Sequence, residues 1–203
     1  HDGTDFDWAA AAGGGDLSFG GDTFGADKTI GSNDTYALSF ETDGNVAMKI
    51  DTAGIITKPL QPAFLAYANA GQTDLTTNAT TTIEIDTEVF DQNADFNTGT
   101  YTFTAPVTGR YQLTAHTRVN DIDQAVANLA DWLKITTSNR TYENIIYPYR
   151  VFASDTPWDF DLSVLADMDA SDTAYVEIWI WGGTGQSDTV TAMNNRFSGF
   201  LAC

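Results

Sequence analysis

The chain has 203 residues, 42% apolar and 12% aromatic, with 9 basic against 28 acidic side chains for a formal charge of −19. That length holds one domain of ordinary size plus an appendage, and the apolar fraction suffices for a real core. The charge excludes nucleic acid and an anionic bilayer as partners, since phosphate is bound by Lys and Arg, and it suits a protein kept soluble while densely displayed. Cys203 is the only cysteine, which excludes an intramolecular disulfide and a Cys-rich metal site. No apolar run approaches the roughly 18 residues of a membrane-spanning helix. The chain begins at His1 without a signal-peptide pattern, and processing or an upstream segment is expected.

Residues 1–25 are rich in Gly, Ala and Asp. They read either as a flexible lead-in or as an attachment arm that docks on a neighbour through Phe6, Trp8, Leu17 and Phe19. Residues 26–58 form a distinct unit. Tyr36 to Phe40 alternates, Asp43-Gly44 supplies a hairpin turn, and Val46 to Ile50 alternates again. A hairpin this short cannot bury its apolar face alone, so Leu38, Phe40, Val46, Met48 and Ile50 are expected to meet copies of themselves or the next domain. Pro59 and Pro62 then stiffen an extended linker.

Downstream, turn signals separate ten strands near 63–68, 81–85, 87–90, 100–105, 110–119, 129–137, 141–147, 159–166, 173–181 and 196–202. This is the pattern of an all-β sandwich. In Thr100 to Thr104, Tyr101 and Phe103 share one face. Ala105 to Gly109 then breaks the ladder, because Pro106 lacks an N–H and Gly109 admits positive φ. The stretch up to Leu113 reads as an antiparallel hairpin preceded by a tight turn at Asn97-Thr98-Gly99. Residues 123–134 have some helical propensity, but strand is expected after Asn128.

Two stretches resemble known families. Phe90-Asp91, an Asn-x-Gly step, Tyr101, Phe103-Thr-Ala-Pro106 and Gly109-x-Tyr111 resemble the centre of the C1q/TNF-like jelly roll. Pro62 to Tyr67 is similar to that family's first strand and Phe197 to Leu201 to its last. The resemblance covers about residues 59–203. It implies a ten-stranded jelly-roll knob forming a homotrimer. Residues 32–55, SNDTYALSFETDGNVAMKIDTAGI, resemble the short β-repeat of bacteriophage tail-fibre and head-fibre proteins. They depart from it where Val46-Ala47 stands in place of a frequent Arg.

Tyr175 to Trp181 carries bulk on both faces: Val176, Ile178 and Ile180 on one, Tyr175, Glu177, Trp179 and Trp181 on the other. One face of a sandwich strand should be wet. Tyr175, Trp179 and Trp181 are therefore candidates for a subunit contact, with ordinary core as the alternative. His116 lies in an alternating strand and reads as structural; with His1 the only other histidine, no His-rich zinc site can form within one chain. No G-x-S-x-G elbow is present, and chance carboxylate pairs are abundant among 28 acids. No catalytic residues are assigned. Asp155, Asp159, Asp161, Asp167, Asp169 and Asp172 read as solvated loop charge, with a Ca²⁺ site the alternative; no other cofactor is implied. The Asn-x-Thr triplets at 33, 78 and 139 read as chance.

The sequence thus divides into an arm (1–25), a β-hairpin stalk (26–58) and a jelly-roll knob (59–203). It reads as a non-enzymatic, trimeric virion fibre or spike protein of a bacteriophage, assembled in the host cytoplasm and displayed on the virion surface. The arm would hold other virion proteins, and the knob would bind a host glycan or other receptor through Tyr147, Tyr149 and Trp158. The alternatives are a capsid-decorating head-fibre trimer that braces the shell, and a secreted bacterial adhesin of C1q-like type.

Overall fold

The computed structural model describes residues 25–27, 29–121, 130–147, 157–182, 189–190 and 194–203. The arm residues Phe6, Trp8, Leu17 and Phe19, and also Tyr149 and Asp155, lie outside them. The described residues hold strands only. Three form a small antiparallel sheet: β1 (Leu38–Thr42), β2 (Asn45–Ile50) and β3 (Ile56–Thr57). Asp43 and Gly44 take positive φ of 50° and 71°, so the expected two-residue turn joins β1 to β2. Leu38 pairs with Ile50 and Phe40 with Met48, which puts these four on one face. The irregularity between Phe40 and Glu41 pairs Val46 with Glu41 instead. The next turn is closed by Asp51, whose Oδ1 accepts from the N–H of Ala53 at 2.8 Å and of Ile55 at 2.9 Å.

A jelly-roll sandwich follows, with twelve strands among the described residues: β4 (Ala63–Tyr67), β5 (Ala79–Thr82), β6 (Thr87–Asp91), β7 (Phe96–Asn97), β8 (Thr102–Thr104), β9 (Gly109–Asn120), β10 (Ala130–Thr137), β11 (Thr141–Ile146), β12 (Trp158–Met168), β13 (Thr173–Trp181), β14 (Thr189–Val190) and β15 (Arg196–Leu201). The ten expected strands are there within a few residues, and the short β7 and β14 are additions. One sheet runs β12-β9-β15-β4-β6 with β14 beside β9. The other runs β11-β10-β13-β8-β7 with β5 beside β13.

The expected hairpin at 100–114 is not one. β8 pairs with β7 and β13, whereas β9 pairs with β12, β14 and β15 in the opposite sheet. Ala105 to Thr108 therefore crosses the sandwich. Its backbone is held by the β12–β13 turn, Ala105 N donating to Asp172 O and Ser171 N to Ala105 O, and the Tyr111 hydroxyl donates to Val107 O at 2.7 Å. Tyr101 has φ of 60° and belongs to the preceding turn, so it does not share a strand face with Phe103.

The core is built where the inward faces meet. Phe64 of β4 stacks on Phe96 and Phe103 of the other sheet, with centroids 5.0 and 4.8 Å away, and meets Phe197 of its own sheet edge-on at 5.1 Å. Leu113, Ala115, Leu133, Ile135, Val176, Ile178 and Ile180 complete it, all buried. Gly199 sits where β15 passes this cluster: a Cβ there would lie 2.6 Å from Leu113 Cδ2 and 2.8 Å from Phe64 Cε1. Gly199→Ala is expected to overpack the core and cost about 1–3 kcal/mol, read as a lowered urea midpoint with an unchanged slope.

Candidate functional site

The sheet β12-β9-β15-β4-β6 turns one face to the core and the other outward. Register fixes what stands side by side on the outward face. Leu165, Gln112, Phe200 and Ala63 make one cross-strand row; Ser163, Thr114, Ser198, Leu65 and Phe90 make the next; Asp161, His116, Arg196 and Tyr67 the third. The first two rows carry apolar side chains around a polar patch of Gln112, Ser163, Thr114 and Ser198, where Gln112 Nε2 donates to Ser163 Oγ at 2.8 Å, and the third row is charged. Leu165, Phe90 and Phe200 are 54%, 50% and 50% exposed, and Val89 on β6 is 59% exposed. Two adjoining hollows lie over them, about 270 Å³ among Ala63, Leu65, Phe90 and Phe200, and about 320 Å³ among Leu65, Tyr67, Val89 and Arg196. Exposed aromatic and branched side chains grouped this way mark a contact surface rather than chance scatter.

The charged end of the face is a network. Arg118 Nε and Nη2 donate to the two oxygens of Asp159, both at 2.7 Å, and this forked bond holds the Asp159 carboxyl below its usual range. His116 stands between carboxylates, Nδ1 at 2.8 Å from Asp161 and Nε2 at 3.5 Å from Asp159. His116 is thus held between two carboxylates of β12.

Of the six aspartates weighed for Ca²⁺, Asp155 lies outside the described residues, and the other five are spread along β12 and the turn that follows it. Asp159 and Asp161, on β12, stand opposite Arg118 and His116 of β9, while Asp167 lies eight residues beyond Asp159 along β12, about 26 Å away. Asp169 and Asp172 belong to the β12–β13 turn, where Asp172 Oδ2 accepts from Asn139 Nδ2 at 2.6 Å and from Asp169 N at 2.8 Å. Among the described residues, no group of three or more His, Cys, Asp or Glu is placed to hold a metal.

On the other sheet, the outward face of β13 carries Tyr175, Glu177, Trp179 and Trp181. Trp179 is covered by its own chain: Trp132 of β10 stacks on it at 4.7 Å, and Lys134 Nζ lies 4.7 Å over its ring. Lys134 is also 3.2 Å from Glu143, and Glu177 accepts from Thr136 Oγ1 at 2.7 Å. Trp181 remains 43% exposed and Tyr147, just past β11, 45% exposed. Trp158 shares the inward side of β12 with Phe160 and, half-buried, packs against the edge of the core. On the small sheet, Leu38, Val46, Met48 and Ile50 are half-buried and Phe40 is 44% exposed.

Sequence reading missed the Phe90–Phe200–Leu165 face. Phe90 and Phe200 stand in two of the three stretches that carry the resemblance, and nothing in an alternating strand says which side another layer covers. The Trp132–Trp179 stack had a signal, since both lie in apolar strands, but their register is set by tertiary pairing.

The architecture is that of the C1q/TNF-like jelly roll. The chain is similar to the globular domain of zebrafish complement 1qA, with 18% identity, 70% of this chain and 98% of that one covered, and a TM-score of 0.50. It is also similar to the Eiger TNF of S. frugiperda, with 11% identity, 70% and 93% covered, and a TM-score of 0.50. No protein-family model matches the chain, and no curated protein does. At these identities the likeness establishes the fold and leaves function to the surface.

Proposed function

We propose that the chain is a fibre or spike subunit of a bacteriophage virion, in which a homotrimeric jelly-roll knob binds a host-surface glycan and residues 1–25 attach to other virion proteins. The observation that carries self-association is the outward face at Leu65, Val89, Phe90, Leu165 and Phe200, apolar in a chain of charge −19. Covering it with a second and third copy removes apolar area from water at about 25 cal/mol per Å². On this reading the main subunit contact is the outward face of the sheet opposite β13. Trp179, half-covered within its own chain, then acts chiefly as packing. The small sheet supports the same assembly, since Phe40, Ile55 and Ile56 are 44%, 60% and 58% exposed and three short strands gain a core only by meeting copies.

Three identical knobs present three sets of aromatics, so weak individual contacts gain avidity. Tyr147 and Trp181 offer flat apolar rings with a polar tip to the C–H faces of sugars. The work is binding, without bond-making chemistry. The test is light scattering of the purified chain followed by binding to candidate host cells, with and without EDTA. A mass of three chains and saturable binding, weakened by Trp181→Ala or Tyr147→Ala, is the expected result. A trimer that binds no host cell, yet is taken up by particles and stabilises their shells, would establish the capsid-decorating role instead. Loss of binding in EDTA would bring in a metal, held between copies or by residues outside the described ones.

A further inference from the structure

The apolar outward face carries one cation at its charged end that its own chain leaves without a counter-ion. Arg196 stands on that face between His116 of β9 and Tyr67 of β4. It lines the hollow of about 320 Å³ together with Leu65, Tyr67 and Val89. Among the described residues, no carboxylate pairs with it. In the single chain the guanidinium is exposed and hydrated. A charge taken out of water without a partner is strongly unfavourable, so whatever covers the hollow must bring an acceptor to Arg196.

The acids of the same face differ in what they have left to offer a neighbour. β12 turns Asp159, Asp161 and Asp167 outward, on the side of Ser163 and Leu165. Both oxygens of Asp159 are taken by the Arg118 fork. Asp167 stands in register across from Arg110, at the other end of the strand. On β6, Glu88 is in register with the buried Ala66 and so belongs to the other side of the sheet. Asp161 spends Oδ1 on His116, its side chain is 75% exposed, and Oδ2 accepts from no donor among the described residues. Asp161 and Arg196 occupy one cross-strand row, Asp161-His116-Arg196-Tyr67. Two strand spacings, about 10 Å, keep them apart within the chain. Rotation about an axis along the strands moves a residue sideways and keeps its height. A cyclic assembly sets one side of a face against a different side of the next copy's. The acidic end of the row then arrives at the Arg196 end of the same row on the neighbour.

We propose that Arg196 of each copy is bound by Asp161 of a neighbouring copy, and that this pair, repeated round the assembly, fixes the register in which the knobs meet. The inference rests on the trimeric reading above and goes beyond it by naming the pair. Apolar contact among Leu65, Val89, Phe90, Leu165 and Phe200 supplies attraction but little direction. The ion pair supplies the direction. A slip of two residues along the strands sets Arg196 against Ser163 in place of Asp161, and both charges are then covered without partners, which disfavours the slipped arrangement.

The test uses the whole chain. The unaltered protein is expected to scatter light as three chains at micromolar concentration. Arg196→Glu brings two acids together at every contact and is expected to raise the concentration for half-assembly about a hundredfold or more. Its β circular dichroism should be unchanged, since position 196 is exposed. Asp161→Arg should weaken assembly likewise, and the two substitutions together should restore it to within about tenfold of the unaltered chain. Arg196→Lys keeps the charge and supplies an amine. A carbodiimide, which joins an amine to a carboxylate only in contact, is expected to link position 196 to Asp161 of another copy, read by mass spectrometry on trimers mixed from isotope-labelled and unlabelled chains. Single chains from the unaltered protein would overturn the trimer and the pair with it. A trimer that Arg196→Glu leaves at full strength, or a double variant no stronger than the single ones, would overturn the pair and leave the trimer standing. A link to a different carboxylate would overturn the choice of Asp161. If a reversed charge prevents folding, the cross-link decides by itself.

Discussion

Phe64→Ala is expected to lower the unfolding free energy by about 3–5 kcal/mol. Phe64 is 2% exposed and is the ring through which β4 of one sheet touches Phe96 and Phe103 of the other. Truncation removes the transfer energy of the ring and leaves a cavity that three neighbouring aromatics, fixed on their own strands, cannot collapse to fill. For a domain of this size the loss corresponds to a melting point lower by roughly 10 °C, provided protein concentration is held constant, because assembly adds to apparent stability. Val89→Ala, on the exposed surface of the adjacent β6, should move the monomer's stability by less than about 0.5 kcal/mol. A loss under about 1 kcal/mol for Phe64→Ala would mean that the two sheets are held together elsewhere.

The double substitution Phe90→Asp and Phe200→Asp is expected to convert the proposed trimer to single chains at micromolar concentration, by light scattering, without loss of the β circular-dichroism signal. Both rings are half exposed on the outward face, so the isolated chain loses little. In the assembly, six carboxylates per trimer would have to leave water without partners, and each such burial costs several kcal/mol. Tyr147→Asp, on the other sheet, is the control and should leave the mass unchanged. If the double variant stays trimeric and Trp181→Asp dissociates it, the contact lies on β13, as the apolar outer side of Tyr175–Trp181 suggests from sequence.

Local patterns were read well from the chain. The alternation of Arg110 to Val119 and of Thr173 to Trp181 became β9 and β13 almost to the residue, because period-two burial is a property of neighbours in sequence. Asp43-Gly44 became the turn it implies, since only small or polar residues take positive φ cheaply. What failed was pairing. Strands 102–104 and 109–120 looked like one hairpin because they are close in sequence and both alternate, yet the four residues between them span two layers. A four-residue gap containing Pro is compatible with either outcome, and the choice is made by Asp172 and Ser171, which come some sixty residues later and hold Ala105.

Charge behaved in the same way. Six aspartates within 155–172 read as one cluster along the chain, but an extended strand moves about 3.3 Å per residue and separates Asp159 from Asp167 by most of the sandwich. The partners of Asp159 and Asp161, namely Arg118 and His116, came from a strand over forty residues away. The sequence by itself determined an all-β chain with a stapled two-residue turn, a proline linker and a jelly-roll pattern, because each rests on backbone preferences and period-two burial within a few residues. The tertiary structure alone decided which apolar face stays uncovered and which strand supplies the partners of Asp159 and Asp161. Those outcomes depend on cross-strand register and layer contacts, whose energies belong to residues far apart in the chain.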